Sequence, residues 1–218
     1  MAYTIIIPIH DEVQSIPILL EGLKSYAVDH EILIIDDGST DGSSELLKNC
    51  SFIHLVSLSR HSGKGTAIRA GLDRSGNDKV IITDGDLELD PAELEKFMIL
   101  DSDSRIDCVL GTRYAEKIPF GSLLDFGNFF LTGFFNIIHN RSVSDALCCN
   151  KSFFKSSIDQ ESLKSTGFDV DVELLSKLVS ENHTIKEIPI KYTRRSPDQG
   201  KKLRLVDSWI ILKRIWGQ

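Results

Sequence analysis

The residues with the clearest chemical purpose are Asp84 and Asp86, within Thr83-Asp84-Gly85-Asp86-Leu87-Glu88-Leu89-Asp90-Pro91. Two carboxylates one residue apart, just past an apolar run, can share one hard cation. Gly85 between them lets a bulky ligand approach the backbone. A Mg²⁺ or Mn²⁺ held there would bridge a diphosphate and neutralise it as it leaves. An isolated D-x-D is equally well read as an acidic turn capping a helix at Pro91. An EF-hand does not fit, because Leu89 stands where that loop needs Gly.

Two further clusters suit a nucleotide. Asp36-Asp37-Gly38-Ser39 could hold ribose hydroxyls or a base N–H, although alone it reads as a loop and helix cap. Ser62-Gly63-Lys64-Gly65-Thr66 lacks the first Gly of a phosphate-binding P-loop and has Gly65 in place of its Ser/Thr, so a P-loop NTPase is rejected. Lys64 either faces a phosphate or is solvated. From Lys191 to Gln218 the chain carries eight basic residues against Asp198 and Asp207, within a protein of net charge −7. A basic tail on an acidic body suits a phosphate ligand or an anionic membrane surface and argues against general nucleic-acid binding.

Something must bring these clusters together. Apolar runs at Tyr3–Ile9, Glu31–Ile35, Phe52–Leu58, Lys79–Thr83 and Cys108–Leu110 predict buried strands. Helical patterns lie between them, at about Ser15–Tyr26, Ser44–Asn49, Gly65–Arg74 and Pro91–Leu100. Strands alternating with helices predict an α/β fold, a mostly parallel sheet with helices on both faces. Ligands in such sheets bind beyond the carboxyl ends of the strands. Each cluster falls at one of those ends, which predicts one shared pocket. Beyond it, a helix over Ile118–Asn140, a helix over Val170–Glu181 and a strand over Thr184–Tyr192 are predicted. Leu205, Trp209, Leu212 and Trp216 form a stripe at helical spacing.

Length and composition, 218 residues with 41% hydrophobic, suit one compact domain. No signal peptide and no membrane-spanning run is read, so a soluble or peripheral cytoplasmic protein is expected. Cys50, Cys108, Cys148 and Cys149 form no C-x-x-C pair, which speaks against zinc and for reduced thiols.

Taken in order, the clusters resemble glycosyltransferase family 2, whose fold is the Rossmann-like GT-A type with a mixed, mostly parallel sheet, along nearly the whole chain. Ile5-Ile6-Ile7-Pro8-Ile9-His10-Asp11-Glu12 resembles the family's "IPAYNE" opening, with His10 and Asp11 in place of Tyr and Asn. Ile34-Ile35-Asp36-Asp37-Gly38-Ser39-Thr40-Asp41-Gly42 is similar to "VVDDGSTDG". Gly63-Lys64-Gly65-Thr66-Ala67 resembles the "GKG" loop, and Asp84–Pro91 the D-x-D segment. Gly111-Thr112-Arg113-Tyr114, Asp145–Lys151, Phe168–Leu175, Lys186–Ile190 and Gly200–Leu203 resemble motifs of the dolichyl- and polyprenyl-phosphate mannose or glucose synthases. Leu147, Cys149 and Asn150 depart from that subgroup's pattern.

The resemblance implies a metal-dependent, inverting transfer of sugar from a UDP- or GDP-sugar by direct displacement. It places Pro8, His10 and Glu12 in the nucleoside pocket, Asp37 near the base, and Asp84, Gly85 and Asp86 at the ribose-diphosphate and metal. Glu88 stands where the subgroup places a third metal ligand, and Arg113 contacts a donor or acceptor phosphate. Residues 1–114 would form the nucleotide-sugar half and 115–218 the acceptor half of one catalytic domain. A hydroxyl acceptor needs a general base, for which Asp171 and Asp145 are candidates. A phosphate acceptor needs cations, for which Arg113, Arg194, Arg195, Lys201 and Lys202 are candidates. A polyprenyl phosphate is the favoured acceptor. A glycan or other hydroxyl, or nucleotide-sugar binding without catalysis, stays open. Six Phe between Phe120 and Phe135, with Trp216 beside Lys213 and Arg214, suit a peripheral membrane surface or simply cover for the sheet.

Overall fold

A computed structural model of the chain describes residues 1–114, 123–180, 183–195 and 205–217. Among the described residues seven strands form one sheet in the order β3-β2-β1-β4-β6-β5-β7. They are β1 (Thr4–Ile9), β2 (Glu31–Asp36), β3 (His54–Ser57), β4 (Lys79–Ile82), β5 (Cys108–Thr112), β6 (Lys151–Phe154) and β7 (Ile185–Pro189). The strand β1 is buried at all six positions. A parallel strand covered on both faces needs a continuous apolar run rather than alternation, and Thr4-Ile5-Ile6-Ile7-Pro8-Ile9 supplies one. Its ladder to β4 stops at Ile6, before Pro8, which has no N–H to donate.

Successive side chains divide between two cores. Ile5, Ile7, Ile32 and Ile34 enter one, while Ile6, Leu33 and Ile35 enter the other. Among the described residues six helices cover the faces: α1 (Ile16–Leu23), α2 (Ser43–Lys48), α3 (Lys64–Arg74), α4 (Leu123–His139), α5 (Val170–Ser180) and α6 (Leu205–Trp216). The sheet is mostly parallel, as expected. The antiparallel member of this mixed sheet is β6, between β4 and β5, a strand that the sequence pattern did not reveal. The segment expected as a helix from Pro91 is a 3₁₀ stretch, Pro91–Phe97, capped by Asp90 accepting from the Ala92 N–H. Within the described residues the Phe-rich helix starts at Leu123, and the last strand is confined to Ile185–Pro189. No described helix is long and apolar enough to cross a membrane.

Candidate active site

The loops after β1, β2, β4 and β5, closed over by α5, α6 and the segment after β7, enclose a cavity of about 810 Å³. Pro8, His10, Glu12, Asp37, Lys64, Asp84, Gly85, Asp86, Glu88, Arg113, Asp171, Arg194 and Arg195 all line it. The strand-end clusters therefore do share one pocket. Lys201 and Lys202 lie outside the described residues. Asp145 does not line the cavity.

The loop after β2 builds one wall. Asp37 is buried, and its carboxylate accepts the Ser62 N–H at 2.7 Å and the Gly63 N–H at 2.8 Å. His61 Nδ1 adds a contact at 2.8 Å. Asp37 thus organises the loop that leads into α3, and its two oxygens are engaged there rather than presented to a ligand. Gly63 adopts φ 94°, open to Gly at little cost, and a Cβ on it would strike the Thr166 carbonyl. His61 stacks on His10 with ring centroids 3.9 Å apart. The sequence reading had passed over His61, which directly precedes the Ser62–Thr66 cluster.

On the opposite side lies the D-x-D loop. Asp86 accepts the Glu88 N–H at 3.0 Å. Burial, and the negative charges of Asp84 and Glu88, push its carboxyl up to about 7. The three-ligand metal set expected from the sequence is not assembled: no group of three candidate ligands able to hold a metal occurs among the described residues. The reason is that Glu88 turns away. Its carboxylate accepts the Tyr192 hydroxyl and the Arg195 N–H, the latter at 2.8 Å. Gly85 also differs from its expected use, since a Cβ there would lie 2.5 Å from Ile9 Cγ2. It permits the loop to pack on β1, not only a ligand to approach.

The cations are anchored by carboxylates. Arg195 donates to Glu12 at 2.6 and 3.2 Å, to the Asp86 carbonyl at 2.7 Å and to Ser15 Oγ at 2.6 Å. Glu12 is therefore part of a strap joining the end of β1 to the D-x-D loop. Arg194 pairs with Asp125. Arg113 binds fully buried Asp145 through Nε at 2.6 Å and Nη2 at 2.7 Å, a bidentate pair. The Tyr114 and Tyr192 rings flank it, 5.5 and 5.3 Å from the guanidinium carbon. This corrects the reading of Asp145 as a base: it sits behind Arg113 and aims it.

Asp171, the other candidate base, is gripped by Lys64 at 3.0 Å and by Lys151, itself fully buried, at 3.4 Å. Burial would raise its pKa, but the two ammonium groups outweigh that and lower it. A carboxylate so held is a poor proton acceptor. The role of Lys151 was missed because its strand was. On α6, Arg214 reaches Asp169 at 2.8 Å and Glu173 at 3.1 Å. Glu173 in turn accepts the N–H groups of Lys164 and Ser165.

The glycosyl transferase family 2 model matches residues 4–160. The undecaprenyl-phosphate 4-deoxy-4-formamido-L-arabinose transferase of Photorhabdus laumondii is 32% identical over 123 residues, covering 52% of this chain and 37% of that protein. Its counterpart from Yersinia enterocolitica is 36% identical over 104 residues, covering 44% and 32%. The chain thus spans roughly a third of the length of the curated relatives it matches. Among solved structures, glucosyl-3-phosphoglycerate synthase from Mycobacterium tuberculosis with uridine diphosphate superposes with TM-score 0.72 at 17% identity, covering 99% of this chain and 79% of that one. The same enzyme with Mn²⁺, uridine diphosphate and glucosyl-3-phosphoglycerate gives TM-score 0.70 at 16% identity, again covering 99% and 79%. These likenesses establish the GT-A fold.

Proposed function

This chain belongs to glycosyl transferase family 2, and on that premise we propose that it moves a sugar, with inversion, from a nucleotide sugar to a polyprenyl phosphate. The observation that carries the acceptor half of this reading is the state of Asp171. A hydroxyl acceptor requires a base, and of the two candidates, Asp171 and Asp145, the one that lines the cavity is held ionised by two lysines. A phosphate monoester needs no base, only cations to receive and orient it. Lys64, Arg113, Arg194 and Arg195 bring four into the cavity. The named activity of the curated relatives, transfer to undecaprenyl phosphate, supports the same choice.

The donor would lie across residues 1–114, with Pro8 and the His10–His61 stack toward the nucleoside and Asp84 and Asp86 toward the diphosphate. Residues beyond 114 would hold the acceptor. The solved neighbours with uridine diphosphate make UDP-sugars the first donors to try.

A divalent cation fits this site. Eight carboxylates, some of them turned to partners within the chain, line the cavity against four permanent cations among the described lining residues, and two anionic substrates would deepen that imbalance. Mg²⁺ is commonly held by one or two carboxylates together with substrate phosphates, so Asp84 and Asp86 suffice without Glu88. Bound there, Mg²⁺ or Mn²⁺ would stabilise the charge that builds on the leaving diphosphate. The protein's own part is to orient. Asp145 fixes the Arg113 guanidinium, Glu12 fixes Arg195, and Arg195 in turn holds the D-x-D backbone through the Asp86 carbonyl.

The membrane side of the proposal rests on α4 and α6, which pack together with Phe134 stacked on Trp216 at 6.2 Å. They expose Phe126, Phe129, Phe130, Trp209, Ile210 and Trp216, and Ile210 also lines the cavity. So large an apolar face beside the site suits a lipid surface. Two expected members take other parts. Phe135 is buried, and Arg214 turns inward to Asp169 and Glu173. Phe120 lies outside the described residues.

A thermal-shift screen of nucleotide sugars, run with Mn²⁺ and with EDTA, tests the donor half. One nucleotide series should raise the melting temperature with Mn²⁺ and much less with EDTA. No shift from any nucleotide sugar would defeat the reading.

A further inference from the structure

Lys64 opens α3 and carries its ammonium into the cavity, where it lies 2.9 Å from Asp84 Oδ1 and 3.0 Å from Asp84 Oδ2. Both oxygens of the first D-x-D carboxylate thus already face a cation that belongs to the chain. The same ammonium lies 3.0 Å from Asp171 Oδ2, and its side chain is only 10% exposed. Its backbone is pinned on either side, the Gly63 N–H to Asp37 at 2.8 Å and the Gly65 N–H to the Thr166 carbonyl at 2.9 Å. Below, Lys151 holds Asp171 and the Cys148 carbonyl, the latter at 2.8 Å. Charges therefore alternate along a row, Lys151, Asp171, Lys64, Asp84, that ends on the carboxylate pair.

We propose that Lys64 is an internal counter-ion of the D-x-D pair, competing with a divalent cation for Asp84 so that the cation is taken up together with a nucleoside diphosphate rather than ahead of it. This rests on reading Asp84 and Asp86 as cation-facing groups. An ammonium in contact with both oxygens of Asp84 repels a second cation brought to the same group. A diphosphate entering the cavity offers that ammonium another anionic partner. Lysine suits the exchange, being a point charge on a flexible stem with donors that rotate freely. Asp171, fixed from below by Lys151, is the pivot that keeps the ammonium within reach of both partners. Lys64 is thus a positioning residue that sets the order of binding.

Mn²⁺ binding by the full chain, read from the paramagnetic resonance signal of free Mn²⁺, tests this without any turnover. The wild type should bind Mn²⁺ weakly alone and more tightly with uridine diphosphate as the probe. Lys64→Met removes the charge at nearly constant length and leaves Asp171 paired with Lys151. It should bind Mn²⁺ alone about tenfold or more tightly than wild type, the scale of one opposite charge near a carboxylate. Lys64→Arg keeps a charge there and should stay close to wild type. Adding Asp86→Asn to Lys64→Met should abolish the gain. Should Lys64→Met fail to fold, Lys64→Gln carries the same expectation. Unchanged or weaker Mn²⁺ binding in the uncharged variants overturns the proposal, as does an equal gain in Lys64→Arg. A sugar transferase that fails this test remains a transferase, and a chain that turns over no nucleotide sugar still reports on the competition.

Discussion

Asp86→Asn should make the unliganded protein more stable at pH 8 while abolishing transfer. In the folded chain the Asp86 carboxyl sits at about 7, against 3.8 for the free group, because it is buried beside the charges of Asp84 and Glu88. A raised folded pKa means that ionisation works against the fold. The stability is intact below about pH 4, where the group is protonated in both states. It is lost as pH rises, and the loss is complete above about 7. Three units at about 1.4 kcal/mol each set a ceiling of about 4 kcal/mol, and solvent at the cavity mouth reduces this to about 2. Asparagine keeps an oxygen for the Glu88 N–H and carries no charge. For a domain of this size about 2 kcal/mol is worth about 4–8 °C in melting temperature. Melts of wild type and variant in EDTA at pH 4.5, 6 and 8 measure it. The variant's advantage should grow across that series. A variant less stable than wild type at pH 8, or an advantage that does not change with pH, would refute the electrostatic account of this loop.

Other expectations follow from the same geometry. Arg113→Gln should raise the KM for a phosphate acceptor or lower kcat at least tenfold, and it should also destabilise by about 3 kcal/mol, because Asp145 is left buried and unpaired; near-wild-type kinetics would remove Arg113 from the acceptor site. Asp171→Asn should cost stability through Lys151, yet its folded fraction should retain partial rate with no new dependence on pH; complete loss of rate in folded protein would favour a base and a hydroxyl acceptor. Gly65→Ala should destabilise strongly in chemical denaturation, since its Cβ would run into the Ser165 carbonyl, and an unperturbed midpoint would contradict the packing of that loop. Co-sedimentation with anionic liposomes should rise with anionic lipid, fall with salt, and drop for Trp216→Ala combined with Lys213→Glu; wild type wholly in the supernatant at low salt would end the membrane reading.

The parallel half of the sheet was legible because burial on both faces demands continuous apolar runs, and Ile5–Ile7 and Ile32–Ile35 are such runs. The strand β6 was not. Lys151-Ser152-Phe153-Phe154 is short, and it opens with a lysine that is buried only because Asp171 and the Cys148 carbonyl receive its ammonium. Which residues meet in the cavity was legible from their places at strand ends. Whom each one faces was not. Arg113 and Asp145 are 32 positions apart, and Glu88 and Arg195 are 107 apart. Nothing in local pattern says that Asp145 aims an arginine or that Glu88 turns from a metal to a tyrosine. Pairing of buried charges is a tertiary matter, and residue type supplies only the candidates.

The central claim is transfer to a lipid phosphate, and the most direct test compares two acceptors that differ only in that group. The protein, Mn²⁺ and a panel of labelled UDP- and GDP-sugars are offered undecaprenyl phosphate or undecaprenol in detergent micelles, and label is counted in the organic phase. The account predicts label in the lipid only with the phosphate, from one nucleotide series, and none with EDTA or Asp86→Asn. Equal labelling of the alcohol, or transfer undiminished by EDTA, would contradict it.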